Sequence, residues 1–86
     1  MTNRSAGLEK GGVIMQLAHA TVGQTYRISS ITDEQTALMA IRLGLFEGET
    51  IQVMRKIPGG PFVLLRGASE IALGRALCQH IVLSAA

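Results

Sequence analysis

Apolar and polar residues recur with different periods along this chain, and each period predicts an element of secondary structure. Residues 24–31 are rich in β-branched and aromatic types and follow Gly23, which predicts a strand. Leu38, Ile41 and Leu45 then recur at helical spacing, with alanines between them. We therefore expect a short helix directly after the first strand.

The sequence also carries signals for both ends of this helix. Residues 32–35 have the spacing of a capping box, in which Thr32 and Gln35 each bond to the other's backbone amide. Gly44 is well placed to end the helix in the left-handed conformation, and Gly48 is expected to form the next turn. The helix is thus bounded by residues that favour its ends.

The second half of the chain predicts four further strands. Residues 50–57 alternate between apolar and polar positions, and a Pro-Gly-Gly-Pro reversal containing Gly59 and Gly60 leads into a return strand. The predicted elements after residue 57 are strands at 62–66, 68–73 and 80–83, with a helical turn at 74–79.

These elements predict a mainly β fold. Five short strands on one small core would expose their edges in a flat sheet, and curling into a barrel pairs most of those edges. We expect a small SH3-like five-stranded β-barrel, with a helix inserted after the first strand and a helical turn before the last. Residues 15–86 would form this domain, preceded by a flexible N-terminal extension at residues 1–14.

Composition narrows the class of protein. A chain of 86 residues is long enough for one small domain, and its 48% hydrophobic content favours a packed core. The formal charge of +2 gives little support for nucleic-acid binding. No apolar run is long enough to cross a bilayer, and a single cysteine suits a reducing compartment. We therefore expect a soluble cytoplasmic protein with no direct membrane insertion.

Residues with catalytic or metal-binding chemistry are few. The sequence has no Ser/His/Asp grouping, no phosphate-binding glycine loop and no nucleophile elbow, so we do not expect an enzyme. Cys78 and His80 could bind a transition metal such as iron or zinc, with His19 or surface acids completing the site. The alternative is that Cys78 packs as a small hydrophobe and that no cofactor is required. A metal bridging two chains would make up the shortage of ligands.

The turn after the predicted helix is a candidate contact surface. Leu43, Leu45, Phe46 and Glu47 surround two glycines, where at least one large apolar side chain can remain exposed. Leu43 and Leu45 could instead fill the end of the barrel. Phe46, at the tip of the turn, is the stronger candidate for contact with a partner.

The order of residues in this region resembles one family. The segment Ile-Arg-Leu-Gly-Leu-Phe-Glu-Gly at residues 41–48 is followed by the Pro-Gly-Gly-Pro turn and by Ile-Ala-Leu at residues 71–73. This order is similar to the ferrous iron transport protein A (FeoA) family over residues 15–83. Phe46 and Glu47 depart from a family pattern that often has a proline before the second glycine.

The resemblance implies an SH3-like barrel without catalytic activity. It also implies an accessory role in bacterial ferrous iron uptake, through protein–protein contact with ferrous iron transport protein B. That partner combines a cytosolic GTP-binding domain with a transmembrane pore. A homo-oligomer and a metal-binding module that uses Cys78 and His80 remain alternatives.

Overall fold

The structure, a computed structural model that describes residues 14–86, is built on six antiparallel strands in one sheet. Its strands are β1 (Ile14–Gln16), β2 (Thr25–Ile31), β3 (Thr50–Lys56), β4 (Phe62–Arg66), β5 (Ser69–Leu73) and β6 (Ile81–Ala85). Its helices are α1 (Glu34–Arg42) and α2 (Arg75–Cys78), and a 3-10 turn covers Leu17–His19. The spatial order of the strands is β1-β6-β2-β3-β4-β5.

Five of these strands lie within two residues of their predicted bounds. The predicted count of five is wrong, because β1 adds a sixth strand that pairs with β6. With only three residues, β1 is too short to show an alternating pattern in the sequence. Pairing with β6, which is remote in sequence, makes this segment a strand.

The predicted barrel closure is also corrected. Strands β1 and β5 are the two edges of the sheet, and no pairing joins them within residues 14–86. The sheet curves instead, helped by register shifts between Ile28 and Ser30 in β2 and between Val53 and Arg55 in β3. Such bulges bend a strand and increase its twist. The result is a curved, open sheet around a single core.

The core is filled from one face of each strand, as alternation predicts. In β3, Ile51 and Val53 are buried, while Gln52 and Met54 face away from the core. The fully buried large side chains come from all parts of the described chain and include Leu17, Ile28, Leu45, Ile51, Phe62, Leu64, Leu73, Ile81 and Leu83.

Two cations pack on the buried ring of Phe62. The Nζ atom of Lys56 lies 5.2 Å from the ring centroid and the Cζ atom of Arg75 lies 5.3 Å from it. Lys56 also donates to the carbonyl of Ala18, and Arg75 donates to the carbonyl of Ile57 at 2.8 Å. These two basic side chains therefore help to hold the 3-10 turn and α2 against the sheet.

The N-terminus of α1 is capped one residue later than predicted. Asp33 is the N-cap, and its carboxylate accepts hydrogen bonds from the amide of Thr36 at 2.9 Å and from the Thr36 hydroxyl at 2.7 Å. Thr32 instead bonds to the carbonyl of His80, through its amide at 2.8 Å and its hydroxyl at 3.3 Å. The prediction of a capping box at Thr32 is therefore wrong, because Thr32 is hydrogen-bonded to the segment before β6.

Helix α1 packs on the sheet through small residues. Thr36 and Ala40, four residues apart, are its buried residues. An apolar helix face normally packs on a core, yet Leu38 is 58% exposed and Ile41 is 56% exposed. The helix therefore buries two small side chains against the core, and its large apolar side chains face outwards.

The C-terminus of α1 is a Schellman motif at Gly44, as the sequence predicts. The amide of Leu45 donates to the carbonyl of Ala40 at 2.8 Å, and the amide of Gly44 donates to the carbonyl of Ile41 at 3.0 Å. Gly44 has a φ of +79°, in the left-handed region. This turn directs Leu45, which is fully buried, back into the core.

Most of the predicted N-terminal extension at residues 1–14 lies outside the described residues. Ile14 is described, and it pairs with Ser84 in the sheet. Within residues 14–86, neither α1 nor α2 has the length and hydropathy that a bilayer crossing requires.

Replacing Asp33 by Ala is expected to lower the melting temperature at pH 7 more than replacing Thr32 by Ala. The pKa of Asp33 is lowered from the usual value of 3.8, mainly by the hydrogen bond from the Thr36 hydroxyl and next by the one from the Thr36 amide. A lowered pKa in the folded state stabilises the protein above the unfolded pKa, and this stabilisation disappears as the pH falls through the folded pKa. Thermal unfolding between pH 7 and pH 2 checks this, and a pH-independent difference between Asp33→Ala and the parent would contradict it.

Replacing Gly44 by Val is expected to destabilise the domain by about 2 kcal/mol, because a β-branched residue resists positive φ. Gly44→Asn is the matched control, since Asn tolerates the left-handed region better. Both side chains must displace the Arg66 guanidinium, whose Nη2 atom lies 2.6 Å from the position of an added Cβ. The difference between the two variants in the free energy of unfolding, measured in urea, therefore reports the backbone conformation at residue 44. Equal stabilities would contradict the assignment of a left-handed conformation to this residue.

Candidate functional site

An apolar groove runs beside α1 on the outside of the domain. Its volume is about 310 Å³, and its lining residues are Ile31, Ala37, Ile41, Leu45, Phe46 and Glu47. These residues come from the end of β2, one flank of α1 and the turn that follows α1. Five of the six are apolar, and Glu47 is the only charged one.

The turn that carries Phe46 and Glu47 is fastened at both ends. At its start, the Schellman motif holds Leu45 to Ala40. At its end, the amide of Gly48 donates to the carbonyl of Ile28, and the amide of Ile28 donates to the carbonyl of Glu49, both at 2.8 Å. Because both ends are bonded to regular structure, the tip of the turn projects from a rigid base.

The predicted contact residues divide into two groups. Leu45 is fully buried, so it belongs to the core and forms the floor of the groove. Leu43 is 37% exposed and Phe46 is 43% exposed. Glu47 is exposed at the rim of the groove. Phe46 is therefore the predicted residue best placed to meet a partner.

Leu38 extends this surface along α1, beside Ile41. Leu38 is 58% exposed and Ile41 is 56% exposed, although their spacing predicted a face packed on the core. Met39 is also about half exposed, but it lies on the opposite flank of the helix, about 160° from Ile41. The helical spacing of Leu38 and Ile41 is visible in the sequence, but the same spacing also describes a helix face that packs on a core. Only the burial of Thr36 and Ala40 shows which face is outside.

Arg66 supports the turn from the side of β4. Its guanidinium lies against Gly44, and its Nη1 atom is 4.0 Å from a carboxylate oxygen of Glu49. Within residues 14–86 its Nε atom is buried without a hydrogen-bond partner. The guanidinium occupies space that a Cβ at position 44 would need, so the approach of Arg66 to the turn depends on glycine there.

The predicted turn glycines differ in conformation. Gly44, Gly48 and Gly59 have positive φ. Gly60 does not, and its α-carbon faces Ile57, whose Cγ2 atom would lie 3.0 Å from an added Cβ. The amide of Gly60 donates to the carbonyl of Ile57 at 2.8 Å, which closes the reversal between β3 and β4.

The candidate metal ligands lie in three different settings. His19 is exposed at the end of the 3-10 turn, His80 is half-buried just before β6, and Cys78 is fully buried in α2. Within residues 14–86, no three His, Cys, Asp or Glu side chains are grouped so that they could hold a metal ion.

Burial determines the chemistry of Cys78. Desolvation raises the pKa of its thiol to about 11. The thiol donates towards the carbonyl of Gly74, 3.5 Å from Sγ. Metal ligands and nucleophiles are thiolates, so a neutral, buried thiol is poorly suited to either role.

Cys78 is expected to react with a thiol-specific reagent at pH 8 at least about a hundredfold more slowly in the folded protein than in urea, because the thiol is neutral and enclosed. The absorbance of the coloured leaving group that the reagent releases measures the rate of reaction in each state. The unfolded chain under the same conditions is the control, and equal rates in both states would show that Cys78 is accessible.

The fold is similar to those of several solved structures. An iron uptake regulatory protein (FeoA) superposes with a TM-score of 0.74 at 24% identity, over 84% of this chain and 96% of that one. A FeoA-like protein from Clostridium acetobutylicum gives a TM-score of 0.72 at 18% identity, over 81% of this chain and 84% of that one. At these identities the similarity shows the fold alone, which is the SH3-like fold predicted above.

The same fold also occurs within larger proteins. A manganese-dependent transcriptional repressor superposes with a TM-score of 0.77 at 18% identity. The match covers 85% of this chain but only 42% of the repressor, so this chain spans less than half of its length. No curated protein sequence matches the chain.

The family comparison extends over nearly all of the described residues. The model of the FeoA domain matches residues 15–85, which include every helix and strand from Met15 onwards. The match also includes the turn at Gly44 and the groove beside it. This chain therefore belongs to the FeoA domain family, which is associated with ferrous iron transport.

Proposed function

We propose that this protein assists bacterial ferrous iron uptake by binding the cytosolic part of a membrane GTP-binding transporter, ferrous iron transport protein B. It acts in the cytoplasm as an interaction module, without a catalytic step and without a required cofactor. It reaches the membrane only through its partner. The observation that carries the proposal is the apolar groove, which lies outside the core and is flanked by half-exposed apolar side chains.

The chemistry of the groove favours binding of a protein. Its lining is apolar except for Glu47, so it offers few polar groups to orient a small polar molecule. Exposed apolar residues that cluster on one face often mark a contact with another protein. The groove also has a rigid base, because the turn is bonded at both ends to α1 and β2. A preformed surface of this kind lowers the ordering cost of binding.

Family membership indicates the cellular process in which the protein takes part. The FeoA domain family is associated with ferrous iron transport, and the resemblance in residues 41–48 lies in the turn that forms one wall of the groove. The part of the chain that carries the family signature is therefore also the part that presents the apolar surface. This coincidence supports a role in which the groove contacts the transporter.

Replacing Phe46 by Ala is expected to weaken binding to the purified cytosolic GTP-binding domain of the transporter about tenfold, which corresponds to about 1.4 kcal/mol. Phe46 is 43% exposed, so its loss should change the free energy of unfolding by only about 1 kcal/mol. Titration calorimetry of parent and variant measures the affinity, and thermal unfolding verifies the fold.

Val22→Ala is the matched control, because Val22 is an apolar residue of 49% exposure in the turn before β2. It lies at the opposite end of β2 from Ile31, about 20 Å away along an extended strand. We expect the affinity of this variant to equal that of the parent. Equal loss of affinity in both variants, or no loss in Phe46→Ala, would contradict the assignment of the groove, and absence of binding by the parent would contradict the proposed function.

A further inference from the structure

Acidic residues are concentrated around the groove. Residues 33–49 contain four of the six acidic residues of the chain and one of its eight basic residues. This segment therefore carries a formal charge of −3, although the whole chain carries +2. The groove and α1 form a locally acidic region on a basic protein.

Two of these four acids already have partners within the domain. Asp33 caps α1, and Glu49 lies beside the guanidinium of Arg66. Glu34 and Glu47 are exposed, and no other side chain within residues 14–86 forms an ion pair with either of them. These two carboxylates remain available to a partner.

Their positions bracket the apolar surface. Glu47 lines the groove beside Phe46. Glu34 lies in the first turn of α1, four residues before Leu38 and seven before Ile41, so it shares their face of the helix. The single cation of the segment, Arg42, follows Leu38 by four residues and flanks this face. An acid therefore stands at each end of the exposed apolar face.

We propose that the groove receives a short amphipathic helix of the partner, whose apolar side chains are flanked by Lys or Arg residues that pair with Glu34 and Glu47. This inference rests on the proposed function and specifies the recognised segment. A helix fits better than an added strand, because β1 and β5, the two edge strands of the sheet, contribute no residue to the lining of the groove. The helix-in-groove mode of recognition therefore suits this surface.

Charge also distinguishes this occupant from two others. An anionic membrane surface attracts basic segments, and it would repel the exposed carboxylates of Glu34 and Glu47. Two copies of this chain that pack through the same face would bring two such acidic segments together. A basic amphipathic helix satisfies both the apolar lining and the two free carboxylates.

The test compares charge-reversed variants for binding to the purified cytosolic GTP-binding domain of the transporter. Glu47→Lys is expected to weaken binding at least tenfold, and Glu34→Lys severalfold. Glu70→Lys, which reverses an exposed acid on the edge strand β5, is the matched control and should bind as the parent does. The affinity of the parent should also fall as salt is raised, because exposed ion pairs are screened. Melting curves of all variants confirm that each is folded.

The outcomes separate this inference from the proposed function. If the parent binds and Phe46→Ala weakens binding, but Glu47→Lys and Glu34→Lys bind as Glu70→Lys does, the basic-helix inference is overturned and the proposed function stands. If the parent does not bind the domain, both are overturned. Binding of the parent to phosphatidylglycerol vesicles, or a dimer in sedimentation that Phe46→Ala dissociates, would assign the groove to a different occupant and overturn the inference.

Discussion

The hydrogen bond from the amide of Leu45 to the carbonyl of Ala40 is the contact on which the outer surface of this domain depends. It closes α1 and turns the chain so that Leu45 enters the core. The next residue, Phe46, consequently points out of the core beside the exposed flank of α1. One backbone turn at Gly44 thus separates a core residue, Leu45, from an exposed residue, Phe46, that is adjacent in sequence.

The charged residues near the two helices have different surroundings. On the side of α2, Lys56 and Arg75 pack on Phe62 and donate to backbone carbonyls, so both cations serve the fold. On the side of α1, Glu34 and Glu47 are exposed around an apolar face. Lys56 and Arg75 thus have partners within the domain, whereas Glu34 and Glu47 are the charges that the proposed partner would meet.

The candidate site could be predicted only in part, and the reason is visible in α1. Helical spacing identified the helix, and the turn residues identified Gly44 as its end, because both signals are local. The spacing of Leu38 and Ile41 is the same for a buried face and an exposed one, so it could not show that these residues lie outside. The sequence allows Leu45 to be either a core residue or a contact residue, and only the structure shows that its side chain is buried. The cap at Asp33 was missed because Thr32 is held by His80, a contact between residues far apart in the chain.

The sequence by itself determined the mainly β class, the bounds of five strands, the helix after β2 and the Schellman turn, since each depends on periodicity or on backbone preferences within a few residues. It also carried the resemblance through which the FeoA domain was recognised. The tertiary structure decided the sixth strand, the open edges of the sheet, the burial of Cys78 and the outward face of α1. These features depend on which distant segments pack together, because strand pairing and burial arise from contacts between residues that are far apart in the sequence.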